Sequence, residues 1–136
     1  MRMSEIVRVD SRGRVTMPSS IRDALKLSEG MYVMLIADLD NKQVQIVPFA
    51  DPEAKLVEFR ITFEDVLGAL AQAAAVLAEN NIDLLSSESR TLRRGKSAEW
   101  FAVADISRCK CRLEELKQKI LEAGAVKAVE LRSFPY

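Results

Sequence analysis

Histidine is absent from the 136 residues. Its absence removes every mechanism built on an imidazole base, an imidazole nucleophile or an imidazole metal ligand. Net charge is absent too, because 20 Lys and Arg balance 20 Asp and Glu. A zero total excludes a chain that is polybasic throughout, while leaving room for a local basic face. Cysteine is scarce: only Cys109 and Cys111 occur. A structural disulfide between residues two apart is strained, and two thiols without histidine cannot complete a four-ligand zinc site. They are read as free thiols of a reducing, cytoplasmic chain, with a metal or redox role as the competing reading. No apolar run reaches the roughly 20 residues that cross a bilayer, and residues 1–5 lack the apolar core of a leader, so no membrane partner is expected. There is no G-x-x-x-x-G-K-[S/T] phosphate loop. Glu64 and Asp65, as neighbours on a helix, point apart and make a poor acid/base pair. Neither an enzyme nor a bound cofactor is expected.

What remains is an ordinary globular composition, 49% hydrophobic and 29% charged. Pro48 and Pro52 fall between apolar runs, where proline removes a donor and turns its predecessor away from helix. They divide the chain into domains 1–50 and 51–136. The first piece is short for an independent core, so it needs a partner to bury its apolar surface. Charge divides the same way. Residues 1–26 carry six basic and three acidic side chains, a net +3, residues 27–50 carry −2, and residues 51–136 carry −1.

In the first piece, residues 6–9 and 14–17 read as β-branched strands around the turn Asp10-Ser11-Arg12-Gly13. Pro18 ends the second strand. A short helix follows through Lys26, with Ile21, Ala24 and Leu25 on one stripe. Residues 31–37 and 43–47 form a further hairpin. The run Arg8-Val9-Asp10-Ser11-Arg12-Gly13-Arg14-Val15-Thr16-Met17-Pro18-Ser19-Ser20-Ile21-Arg22-Asp23-Ala24-Leu25 resembles the swapped-hairpin DNA-binding domain of the AbrB/SpoVT family. It keeps the G-R-x-x-x-P core, the helix arginine, the leucine three on and, at Gly30, the closing glycine. The resemblance implies a homodimer whose chains exchange hairpins into one small β-barrel. It also implies double-stranded DNA as partner, with Arg8, Arg14 and Arg22 as contacts and Arg12 as an addition. Asp23 departs from the pattern, which often has a second basic residue there. Elementary chemistry agrees, since guanidinium groups pair with phosphate and grip guanine bidentately. The competing reading keeps these arginines as solvated residues or as internal partners of Asp10.

In the second piece, residues 55–63 alternate as a half-buried strand. A helix is expected from Asp65 to Glu79, strands over 82–92 and 98–106 around Arg93-Arg94-Gly95-Lys96, a helix over 112–123 and a last strand over 126–134. Phe59, Trp100 and Phe101 are assigned to the core, and the basic cluster at 93–96 to a solvated hairpin tip. The order βαββαβ is that of a ferredoxin-like sandwich. The whole chain is thus expected to be α+β, a dimeric swapped-hairpin β-barrel followed by a ferredoxin-like, ACT-type domain. Asp65-Val66-Leu67-Gly68-Ala69-Leu70, a helix and then Ile82-Asp83-Leu84 resemble the ACT family's D-x-P-G-x-L and I-N-I elements. The resemblance implies a small amino-acid-like effector held by Asp65, Leu67, Gly68 and Asp83. Leu67 stands for the usual proline, and Asp83 for an asparagine that can donate to a carboxylate, so a cationic group suits Asp83 better. The reading is a transcriptional regulator, a homodimer or higher oligomer, modulated by that effector. The alternative is an antitoxin-like or chromatin-associated module whose second half only oligomerises.

Overall fold

The computed structural model describes residues 1–134. The chain divides into two compact units, Met1–Pro52 and Glu53–Tyr136, so the boundary expected from the prolines falls two residues later.

The first unit contains α1 (Ser19–Ala24) and one antiparallel hairpin, β1 (Tyr32–Asp38) with β2 (Gln43–Ala50). The hairpin loop is held by Asp38, whose carboxylate accepts from the Asn41 backbone and side-chain amides. Strand β2 runs through Pro48 to Ala50, beyond the expected end at 47. Proline is tolerated there because the sheet has only two strands and a register shift lies opposite, between Tyr32 and Val33. Residues 6–9 and 14–17 are not strands within one chain. Only their turn is closed: the Asp10 amide donates to the Arg14 carbonyl at 2.9 Å and the Gly13 amide to the Asp10 carbonyl at 3.1 Å. Gly13 sits at φ +75°, as the turn chemistry requires. Among the described residues the sheets are open and form no barrel, because residues 6–9 and 14–17 join neither sheet.

The second unit runs β3 (Leu56–Phe63), α2 (Ala69–Glu79), β4 (Asp83–Arg93), β5 (Ser97–Asp105), α3 (Leu113–Leu121) and β6 (Val126–Ser133). Its sheet is antiparallel in the order β4-β5-β3-β6, the ferredoxin-like arrangement. Alternation on β3 turns Val57, Phe59, Ile61 and Phe63 to the helices, and Trp100, Ala102 and Ala104 do the same from β5. Ala73 and Leu77 of α2 and Leu116 and Ile120 of α3 complete that layer. Phe59 and Trp100 are core, as expected. Phe101 is not: it lies one residue out of phase with Trp100 and faces away from the helices.

Helix α2 begins at Ala69, not at Asp65. Gly68 at φ +84° takes a left-handed conformation that a continuing helix cannot contain. The helix ends as expected at Asn80, followed by Asn81 at φ +59°.

Candidate functional site

The arginines of the first unit are all exposed. Arg8 and Arg12 flank the turn at Asp10, Arg14 follows it, and Arg22 lies in the last turn of α1, where a cation suits the helix dipole. Asp10 organises this surface. Its carboxylate accepts the Arg14 amide at 2.9 Å, the Arg12 amide at 2.8 Å and the Arg14 Nε at 2.8 Å. These bonds, the Arg14 backbone bond foremost, hold the Asp10 carboxyl below its ordinary value. Arg14 is thus both an internal partner of Asp10 and 68% exposed at its side chain. Arg8, Arg12 and Arg22 make no ion pair among the described residues. Exposed Asp23 sits next to Arg22 on α1.

An open cavity of about 580 Å³ lies in the second unit. Its wall is the loop from Asp65 to Gly68 with the first turn of α2, faced by Ser89, Arg90 and Thr91 of β4 and by Phe63, Ala98 and Glu99. The loop is shaped by Asp65, whose Oδ2 accepts the Gly95 amide at 2.7 Å. That bond ties the loop to the β4–β5 hairpin tip, where Lys127 Nζ also donates to the Lys96 carbonyl at 3.0 Å. Asp65 is therefore an anchor of the cavity wall. Leu67, at 104% relative exposure, and Val66 stand clear of the unit.

Asp65, Leu67 and Gly68 are brought together at this cavity, and Asp83 is not. Asp83 begins β4 opposite Asp105, six residues and so roughly 20 Å along the strand from Ser89. The reason is the antiparallel path of the chain, which returns past the loop only at the hairpin end of β4.

The sequence reading missed Arg90 and Glu99. Glu99 is 2% exposed, although it points to the sheet face that carries no helix. Arg90 covers it with Nε and Nη2 at 2.9 and 2.7 Å from Oε1, and Arg60 Nη2 lies 3.4 Å from Oε2. Both guanidinium carbons stand over the Phe101 ring, at 5.3 Å for Arg60 and 5.7 Å for Arg90. The Arg90 hydrogen bond, opposed by burial and aided by both guanidinium charges, lowers the Glu99 carboxyl.

No helix among the described residues is long and apolar enough to cross a membrane.

No family model and no curated protein matches the sequence. Among solved structures, the chain is similar to the C-terminal domain of the MgtC protein from Mycobacterium tuberculosis, with 14% identity over 61% of this chain and 90% of that one, at a TM-score of 0.48. It is similar to the ACT domain from GTP pyrophosphokinase of Chlorobium tepidum, with 18% identity over 58% and 99%, at 0.47. An ACT domain protein from Streptococcus pneumoniae matches at 18% identity over 59% and 90%, at 0.49.

Proposed function

We propose that the chain is a DNA-binding transcriptional regulator. Two copies of its first unit complete one another, and its second unit takes a small amino-acid-like effector. One observation carries this reading. Residues 1–52 form a turn, a helix and a hairpin, yet none of them is buried. Ile6, Val9, Val15, Leu35 and Val44 are each more than half exposed. So much apolar surface on so small a unit is satisfied by a second copy, with residues 6–9 and 14–17 supplying the missing strands of a swapped-hairpin barrel. Pairing doubles the net +3 of residues 1–26 and brings two sets of Arg8, Arg12, Arg14 and Arg22 to one face. A duplex with two-fold related half-sites is the matching ligand.

The cavity beside Gly68 suits a small polar molecule. Ser89 and Thr91, which bear hydroxyls, line it together with the apolar side chains of Phe63 and Leu70. An effector that prefers one arrangement of the oligomer shifts the population toward it and alters DNA affinity by linkage.

The antitoxin-like or chromatin-associated reading, with an oligomerising second unit only, is favoured by one feature. The charged groups at the cavity already have partners, Asp65 in Gly95 and Arg90 in Glu99.

Gel-shift titration of duplex DNA at several salt concentrations tests the first part. Affinity is expected to fall linearly in log–log form, with a slope near 0.9 per phosphate contact. Binding that ignores salt, or that survives Arg8, Arg14 and Arg22 all changed to alanine, overturns it. A thermal-shift screen with the common amino acids tests the second part, since a ligand of the folded state raises the melting temperature. A screen without any shift favours the oligomerising reading.

A further inference from the structure

The loop between β5 and α3 holds both cysteines, and their Sγ atoms lie 3.2 Å apart. Each is half-buried and packs on the edge of the core. The Cys111 sulfur also lies 3.9 Å from Asn80 Oδ1, which accepts from Lys119 Nζ at 3.0 Å. Asn80 ends α2, and its Nδ2 donates to the Val76 carbonyl at 2.7 Å. The thiol pair, the end of α2 and a lysine of α3 therefore meet at one point. Cys111 is reachable from solvent, because it lines a groove of about 270 Å³ together with Lys110, Lys119, Glu79 and Glu115. Arg108, Lys110 and Arg112 alternate with the cysteines along the chain, so the segment is strongly cationic.

We propose that Cys109 and Cys111 form a reversible dithiol–disulfide couple that exchanges with anionic low-molecular-weight disulfides. The contact brings the sulfurs within reach of one bond. The ring closed over a single intervening residue is strained, and strained disulfides are the labile ones. The flanking cations draw an anionic disulfide to the loop. Burial foremost, then Cys109, pushes the Cys111 thiol up, with Lys119 opposing. One of the two sulfurs attacks first. Its thiolate forms a bond to one sulfur of the small disulfide, that disulfide's S–S bond breaks, and the departing thiolate takes up a proton. The other thiolate, having released its proton, then attacks the first sulfur and displaces the second small thiol. Two electrons pass to the small disulfide, which leaves as two thiols. Oxidation withdraws the Cys111 hydrogen from Asn80. The proposal is independent of the DNA and effector reading.

The test equilibrates the full chain with reduced and oxidised glutathione at rising ratios, blocks free thiols with iodoacetamide and reads the intact mass. The expected product has lost two hydrogens, carries no alkyl group and no glutathione, and returns to the dithiol in excess reduced glutathione. Cys111→Ser and Cys109→Ser are each expected to stop at a stable glutathione adduct on the remaining thiol. Two alkylated thiols persisting in oxidised glutathione alone overturn the proposal. So does a stable adduct on the unsubstituted chain, or a chain-to-chain disulfide as the main product on a non-reducing gel.

Discussion

Glu99 shows how a charge survives out of water on a sheet face that no helix covers. Arg60 and Arg90 lie across it and rest on Phe101, so side chains supply the lid. The folded state holds the ionised carboxylate more tightly than the unfolded chain does, because Arg90 and Arg60 lower its value from 4.5. A lowered carboxyl contributes stability in full above the unfolded value and loses it as pH falls through the folded one. Glu99→Gln is therefore expected to melt below the unsubstituted protein near pH 7, with the gap closing as the pH falls below the ordinary carboxyl value. Thermal denaturation across that range reads it, and a gap that widens in acid contradicts it. A different residue tests the core. Leu116 is 0% exposed, and truncating it to alanine is expected to cost about 3 kcal/mol in urea unfolding. Leu67 stands in solvent, and its truncation should cost less than about 0.5 kcal/mol.

The loop before α2 and the β4–β5 hairpin form one device, because the Asp65 carboxylate reaches the Gly95 amide. Asp65→Ala is expected to leave the sheet intact and to speed amide hydrogen exchange at Gly95 at least about tenfold, a difference of roughly 1.4 kcal/mol. Unchanged exchange at Gly95 would show that the bond does not hold the tip. Gly68→Ala probes the same loop by another route. No atom lies within 4 Å of the added carbon, so the expected loss of about 1 kcal/mol comes from the left-handed backbone alone. These elements differ in how far the sequence revealed them. The βαββαβ order was legible because β3 alternates strictly and α2 is rich in alanine and leucine at helical spacing. The contact of Arg90 with Glu99 was not. Pairing Arg93 with Ser97 and counting back evenly sets Thr91 against Glu99. A shift between Thr91 and Arg93 instead sets Arg90 there. One extra residue in a strand exchanges its faces, and nothing in the local composition announces it. The start of α2 was misplaced for a similar reason, since the apolar spacing continues through Gly68 while the backbone does not.

The two units are unequal in what one chain can do alone. All the buried apolar side chains among the described residues come from Ala54 onward, and the first unit has none. Local signals placed its turn and hairpin well, whereas its tertiary structure depends on surfaces that a single chain does not contain. If two first units share one core, Val15, exposed in the lone chain, becomes interior in the pair. A charge placed there meets water in the monomer and desolvation in the dimer, and an unpaired buried charge costs several kcal/mol. Val15→Asp is therefore expected to convert a sedimenting dimer into a monomer. It should leave the second unit's unfolding transition in place and reduce DNA affinity, although no arginine has changed. Analytical ultracentrifugation with circular dichroism and a gel shift on the same samples reads all three. A variant that sediments as the unsubstituted chain does and binds DNA equally well would place Val15 outside any shared core. It would also leave the exposed apolar surface of residues 1–52 without a second copy to cover it.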